Sequence, residues 1–237
     1  MSDVATLLSF GPEGWADEIA YGTFITVSLA LATLPLGLFI GFFLAIARKS
    51  KERSIQISAN IYITIFRGLP ELLTLFIVYF GIPIALNLVV HDLMGFALID
   101  VNSFLAGMMA LGVVFSAYAS EVFTSAFKGI NQGQYEGGYA LGISNVTTMR
   151  LVILPQLIRL ALPGLSNLWL ILLKETALVS AIGLTDILRS SGIAARVSKE
   201  LFLFFGIAFL IYLVLSIISS LGIVAIERWS KRGEAAR

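Results

Sequence analysis

The sequence predicts an all-α, polytopic membrane protein with five transmembrane helices in a single domain spanning residues 1–237. Three observations carry this expectation. The chain is 58% hydrophobic and 13% charged with a mean hydropathy of +0.92, more apolar surface than a soluble domain of this size can bury. Apolar runs long enough to cross a bilayer recur along it. Basic residues crowd alternate connections between those runs, the bias that marks cytoplasmic loops.

Residues Met1 to Glu18 read as an acidic lead-in, with a Gly11-Pro12-Glu13-Gly14 turn and Trp15 suited to an interfacial anchor. No lysine or arginine precedes Arg48, so the start lacks the basic lead of a cleaved signal peptide. The first span covers about 19–47, and Gly37 and Gly41 within it form a small-xxx-small pair for close helix packing. Arg48, Lys49, Lys51 and Arg53 follow at once. That cluster places this end inside and the N-terminus outside.

The second span is expected over about 55–90. Ile55 to Phe66 alternates like a strand, but a lone strand in lipid leaves its backbone groups unpaired, so a helix is expected. Gly68 and Pro70 in Arg67-Gly68-Leu69-Pro70 predict a kink near 68–70. A short outer connection follows with His91, Asp92, Asp100 and Asn102, where the single histidine reads as a solvated loop residue. A third span covers 104–127 and a fourth 151–173, the latter passing Pro155 and Pro163 with help from neighbouring helices. Between them lies a cytoplasmic loop, 128–150, flanked by Lys128 and Arg150. Lys174 to Glu200 forms an outer segment of mixed charge. The fifth span, 201–226, ends in Arg228, Lys231, Arg232 and Arg237, which puts the C-terminus inside.

The loop before the fourth span is polar and glycine-bearing in a chain otherwise written for lipid. Tyr135, Tyr139, Ile143 and Val146 recur at helical spacing, while Gly138 and Gly142 lie one turn apart and leave a side without bulk. Two short helices bending near Gly142 would present Glu136 at the first turn and a glycine-lined hollow for another protein's loop.

Several chemistries are excluded. No Gly-Lys dipeptide occurs, so there is no phosphate-binding loop and no ATP hydrolysis by this chain alone. Without cysteine, and with scattered carboxylates, no metal or nucleophile constellation forms. A net charge of +1 with dispersed basic residues gives no nucleic-acid surface. The ionisable residues in or near spans are Arg67, Glu71, Glu121, Lys174 and Glu175, and such groups normally face protein or a water-filled path. Either Arg67 and Glu71, one turn apart, satisfy each other while Glu121 holds a helix contact, or Glu71 and Glu175 make a path attractive to cations, with Lys174 for a substrate carboxylate.

Glu136-Gly137-Gly138, three residues, Gly142, nine residues, then Val152-Ile153-Leu154-Pro155 resembles the EAA loop of ABC-importer transmembrane subunits, whose consensus is Glu-Ala-Ala, Gly, then Ile-x-Leu-Pro. Gly137 and Gly138 replace the alanines and Val152 the isoleucine. Arg67-Gly68-Leu69-Pro70-Glu71-Leu72, Ala117-Tyr118 with Glu121, Ala161-Leu162-Pro163-Gly164 and Lys174-Glu175-Thr176-Ala177-Leu178-Val179-Ser180 look like polar amino-acid permeases of that family. The acidic residue after Arg-Gly-x-Pro is similar to the type serving histidine, lysine, arginine and ornithine, and the opines octopine and nopaline.

The resemblance implies a type I ABC-importer permease in a bacterial inner membrane, not itself catalytic, importing a polar, basic amino acid or opine. It implies two ATPase subunits that hold ATP and magnesium, a second homologous permease and a periplasmic substrate-binding protein; this chain would bind no cofactor. The coupling residues it implies are Tyr135, Glu136, Gly137, Gly138, Tyr139, Ala140, Gly142, Leu154 and Pro155. Some relatives bind a basic amino acid inside the membrane, and Lys174 and Glu175 match their segment. Those relatives carry a glutamate where this chain has Thr64. A secondary transporter would need a repeated half that is not seen here, and a scaffold without transport would be indifferent to charge removal at Glu71 or Glu175.

Overall fold

The computed structural model describes residues 4–87 and 102–231. The expectations for His91, Asp92, Asp100, the last residues of the second span, Arg232 and Arg237 lie outside the described residues. The chain is helical, with no strand among the described residues. Four helical stretches are each long and apolar enough to cross a membrane, and a fifth candidate is a bent pair.

After the short α1 (Val4–Leu7), α2 runs from Ala16–Arg48. α3 (Arg53–Gly68) is a helix, not a strand, because α-helical bonding satisfies its backbone within the segment. It stops at Leu69-Pro70, where the proline cannot donate and disfavours helical geometry in the residue before it. The chain resumes as α4 (Glu71–Phe76), a π-helical turn (Ile77–Gly81) and α5 (Ile82–Asn87). The chain bends by 110° between the two arms of this pair, far more than at a proline kink within a continuous helix.

α6 (Ser103–Gly129) is the central post, opened by Asn102, whose side chain accepts from Phe104 N. Small residues such as Ala106, Ala110, Ala117 and Ala119 let neighbours approach it from several sides. α2 comes closest. Its Gly41 has room only for hydrogen, since a Cβ there would lie 2.8 Å from both Ala119 Cβ and Ser116 O, so the small-xxx-small pair is a packing feature. α3 is pinned to the same post by Tyr62, whose hydroxyl meets Ser116 Oγ at 2.9 Å. Leu111, Phe115, Phe123 and Phe127 of α6 join Ile153, Leu157 and Leu172 in one core.

α7 (Gln132–Ala140) and α8 (Asn145–Thr148) follow, then a π-helical turn (Met149–Ile153) that runs into α9 (Leu154–Glu175). Pro155 sits in the opening turn of α9, where the wider turn before it accommodates a residue without an N–H. A 3-10 segment (Thr176–Ile182) leads to α10 (Ile187–Ser198) and the peripheral α11 (Leu201–Lys231). α11 is the most apolar of the long helices and only 11% of its most apolar stretch is buried, as a lipid-facing helix would be.

α10 is anchored from both sides of its first turn. Ile187 N donates to Thr26 Oγ1 on α2 at 3.3 Å, and Arg189 N donates to Asp186 Oδ1 at 2.9 Å. Asp186 lies between the spanning segments yet is fully buried, and burial pushes its carboxyl up to about 6. A carboxyl held above its unfolded value favours the native state most when protonated. Stability from this group is therefore full below about pH 4 and is lost as pH rises through about 6. Asp186→Asn keeps an amide oxygen for the cap, and its thermal midpoint should stay level across that window while the wild-type value falls.

Candidate functional site: the loop between α6 and α9

The loop is built by caps. Asn131 begins α7 by accepting from Gly133 N at 2.8 Å, and Ser144 begins α8 by accepting from Thr147 N at 3.2 Å. Because Asn131 starts the helix early, Glu136 stands past the first turn, contrary to the sequence expectation; it is exposed. α7 ends in a Schellman motif, in which Ile143 N donates to Gly138 O at 3.0 Å and Gly142 N to Tyr139 O at 2.9 Å. Gly142 takes φ +69°, the left-handed geometry that closure of this motif requires.

The two glycines thus divide the work differently from the expected shared hollow. Gly138 is buried with its bare side against Thr148, and a Cβ there would fall 2.6 Å from Thr148 Cγ2 and closer still to its Oγ1. Gly137 faces open space. Opposite outcomes are expected for two adjacent changes. Gly137→Ala should be tolerated and add up to ~1 kcal/mol of helix stability. Gly138→Ala should force α7 from α8 and cut uptake, with Thr148→Ala restoring it; uptake assays on the three variants check this.

The outward surface of the loop is apolar and bare. Tyr139, Leu141 and Val146 are 83%, 77% and 79% exposed. Ala140 is exposed beside them, whereas Leu154 packs partly into the core and Pro155 is exposed at the base. The loop is tied to the spans at its inner side. Gln156 donates to Gln134 Oε1 at 3.2 Å and to Val152 O at 2.8 Å. Lys49, at the end of α2, places its ammonium 4.5 Å from the Phe127 ring and 5.4 Å from that of Tyr135. Burial pushes the Tyr135 phenol up and the Lys49 ammonium down.

The neighbouring residue continues the chain of contacts. Arg48 and Arg67 each bring Nη1 to Glu121 Oε1 at 2.9 Å, and the Arg67 guanidinium lies 5.5 Å from the Tyr118 ring. Arg67 therefore pairs with α6 across the fold, not with Glu71 along its own chain, because Pro70 turns Glu71 away from the helical register. Thr64, Arg67 and Glu121 line one cleft of about 360 Å³ with Arg48 and Asn60. Glu175 is half-buried and feels the charges of Glu71 and Lys174. Lys174 itself lines a separate cleft of about 330 Å³ with Phe205 and Phe209 of α11. The candidate path residues thus fall into three places. Lys49, Thr148 and the Arg48–Glu121 pair were not singled out from sequence; the basic cluster after the first span was read only for orientation, and nothing local links Thr148 to Gly138.

This bundle of long apolar helices belongs to the family of binding-protein-dependent transport system inner membrane components, whose model matches residues 34–232. Among curated proteins it is similar to the nopaline transport system permease protein of Agrobacterium fabrum, 37% identical over 96% of this chain and 97% of the relative. The histidine/lysine/arginine/ornithine transport system permease protein of Salmonella typhimurium is 36% identical over 91% of this chain and 94% of the relative. A solved structure of an amino acid ABC transporter with histidines superposes with a TM-score of 0.76 at 30% identity, covering 90% of this chain and 94% of that one.

Proposed function

We propose that the chain is one half of the membrane pathway of an ATP-driven importer for a basic amino acid or an opine, and that the α7–α8 elbow receives the motion of the ATPase subunits. The observation that carries this is the elbow itself. Three apolar side chains stand at least 77% exposed on a segment held rigid by two side-chain caps and a Schellman closure, and a bare apolar knob of this kind needs a partner surface. The cargo class rests on the relatives, whose names specify nopaline, octopine and histidine, lysine, arginine or ornithine.

In this reading two ATPase subunits bind the ATP and magnesium, a second, homologous permease completes the pathway, and a periplasmic binding protein delivers the cargo. The elbow and the C-terminus face the cytoplasm and the N-terminus the periplasm, as the basic residues at Arg48 to Arg53 and at Arg228 argue. Glu71 and Glu175 attract a cationic cargo. Pushing on the elbow moves α9 through the continuous π-helical turn and moves α2 through Lys49.

Co-purification of the tagged chain from membranes, followed by reconstitution, tests it. An ATPase and a second permease should accompany the chain, and ATP hydrolysis should rise on adding binding protein loaded with arginine, lysine, histidine, octopine or nopaline. Absence of any ATPase in gentle detergent would sink the coupling reading. Stimulation by none of these cargoes would sink the cargo class alone.

A further inference from the structure

Some charged groups near the elbow have partners: Lys49 lies over aromatic rings, and Arg48 and Arg67 share Glu121. Arg159 of α9 and Glu227 of α11 are different. They line the same cleft of about 450 Å³, yet no ion pair joins them and neither has a side-chain partner among the described residues. The cleft lies where α9, α11 and the start of α7 converge, and Asn131, Gln134, Gln156 and Ser230 supply its other polar groups.

Its depth is set by its neighbours. Trp229, 72% exposed and two residues from Glu227, is placed as an interfacial anchor. The apolar lining of the cleft is Leu160, which is 50% exposed, with Leu162 and Pro163, and α11 exposes Leu221 and Ile226, 68% and 54%, in the turns before Glu227. They lie on α9 and α11, of hydropathy 1.4 and 2.9, both long and apolar enough to cross a membrane. One positive and one negative group thus line a single cleft at the elbow-side ends of α9 and α11, beside the apolar lining of Leu160, Leu162 and Pro163.

We propose that this cleft binds a zwitterionic phospholipid with a primary ammonium headgroup, its phosphate on Arg159, its ammonium on Glu227 and its acyl chains along Leu160, Leu162 and Pro163. Opposite charges select against the alternatives. A purely anionic headgroup meets Glu227, and a quaternary choline headgroup has no N–H to donate to that carboxylate. Occupancy also bears on the elbow, because the Gln134–Gln156 bond of 3.2 Å forms part of the cleft wall. A seated headgroup braces α7 against α9.

The test uses the assembled transporter purified from membranes and placed in nanodiscs of phosphatidylglycerol mixed with either phosphatidylethanolamine or phosphatidylcholine. Lipid retained through stepwise delipidation is counted by native mass spectrometry. Phosphatidylethanolamine should be retained about fivefold over either other lipid, the factor that ~1 kcal/mol of headgroup contact gives. Arg159→Gln and Glu227→Gln should each abolish that preference, while Arg228→Gln, one residue away, leaves it intact. Equal retention of the three lipids by the unmodified assembly would overturn the proposal, as would an unchanged preference in both cleft variants. So would exclusion of lipid by another subunit seated in the cleft. The headgroup comparison on the unmodified protein decides the matter even where a variant fails to assemble.

Discussion

Gly142→Val is expected to abolish uptake while leaving the chain in the membrane. The residue closes the Schellman motif at φ +69° with open space around it, so a side chain there meets no wall; the obstacle is the backbone. A left-handed conformation costs an L-residue ~1–2 kcal/mol, more when β-branched, and the motif opens rather than holding it. Tyr139 and Leu141 then lose their fixed placement relative to Val146. Asparagine tolerates this geometry, so Gly142→Asn should keep most of the uptake. If Gly142→Val transports normally, the elbow's shape is irrelevant to coupling. If asparagine fails as completely as valine, the requirement is for a bare surface at Gly142 and not for its backbone angle. Co-purification of the ATPase with each variant separates the two.

The second large effect is expected at Glu121. One carboxylate oxygen serves two guanidinium groups, so Glu121→Gln leaves Arg48 and Arg67 facing each other without a counter-charge. The side chains of Arg48, Glu121 and Arg67 are 24%, 32% and 42% exposed, so solvent screens part of the repulsion, and the loss of stability should be modest, ~1 kcal/mol per pair. Transport should fall by roughly tenfold, the factor for ~1.4 kcal/mol, because the two pairs fix α2 and the bend after α3 to the central post. Removing one arginine as well should recover part of the loss. A double-mutant cycle of Glu121→Gln with Arg67→Gln, read in initial uptake rate, should show coupling of ~1 kcal/mol. Additive losses would place Arg67 outside this network.

Much of the fold was legible because lipid leaves few choices. Uninterrupted apolar runs became α2, α6, α9 and α11, and the strand-like alternation before Arg67 became α3 because a helix satisfies its own backbone. The bend of the elbow was legible for another reason, since Gly142 is a local signal; the caps at Asn131 and Ser144 are local too but went unread, so α7 starts earlier than expected. The contacts that organise the elbow were not legible. Gly138 needs Thr148, Lys49 needs Tyr135 and Arg67 needs Glu121, and in each case the partner's identity depends on packing that spacing does not encode. The local guess of an Arg67–Glu71 pair failed for that reason, since a proline between them redirects the chain.

The pairing of Arg67 with Glu121 also bears on how the protein is made. The two residues are 54 positions apart, so Arg67 leaves the ribosome well before its counter-charge exists. α3 has only 16 residues and counts as a membrane-crossing candidate only jointly with the arm beyond its 110° bend. Arg67 stands in the last turn of α3 and so near the middle of the bent pair, and a lone arginine at the centre of a span costs about 2.5–3.5 kcal/mol on insertion scales. The bent pair is therefore expected to insert less completely in a chain truncated before Ser103 than in one that includes α6, as mapping of introduced glycosylation sites would report.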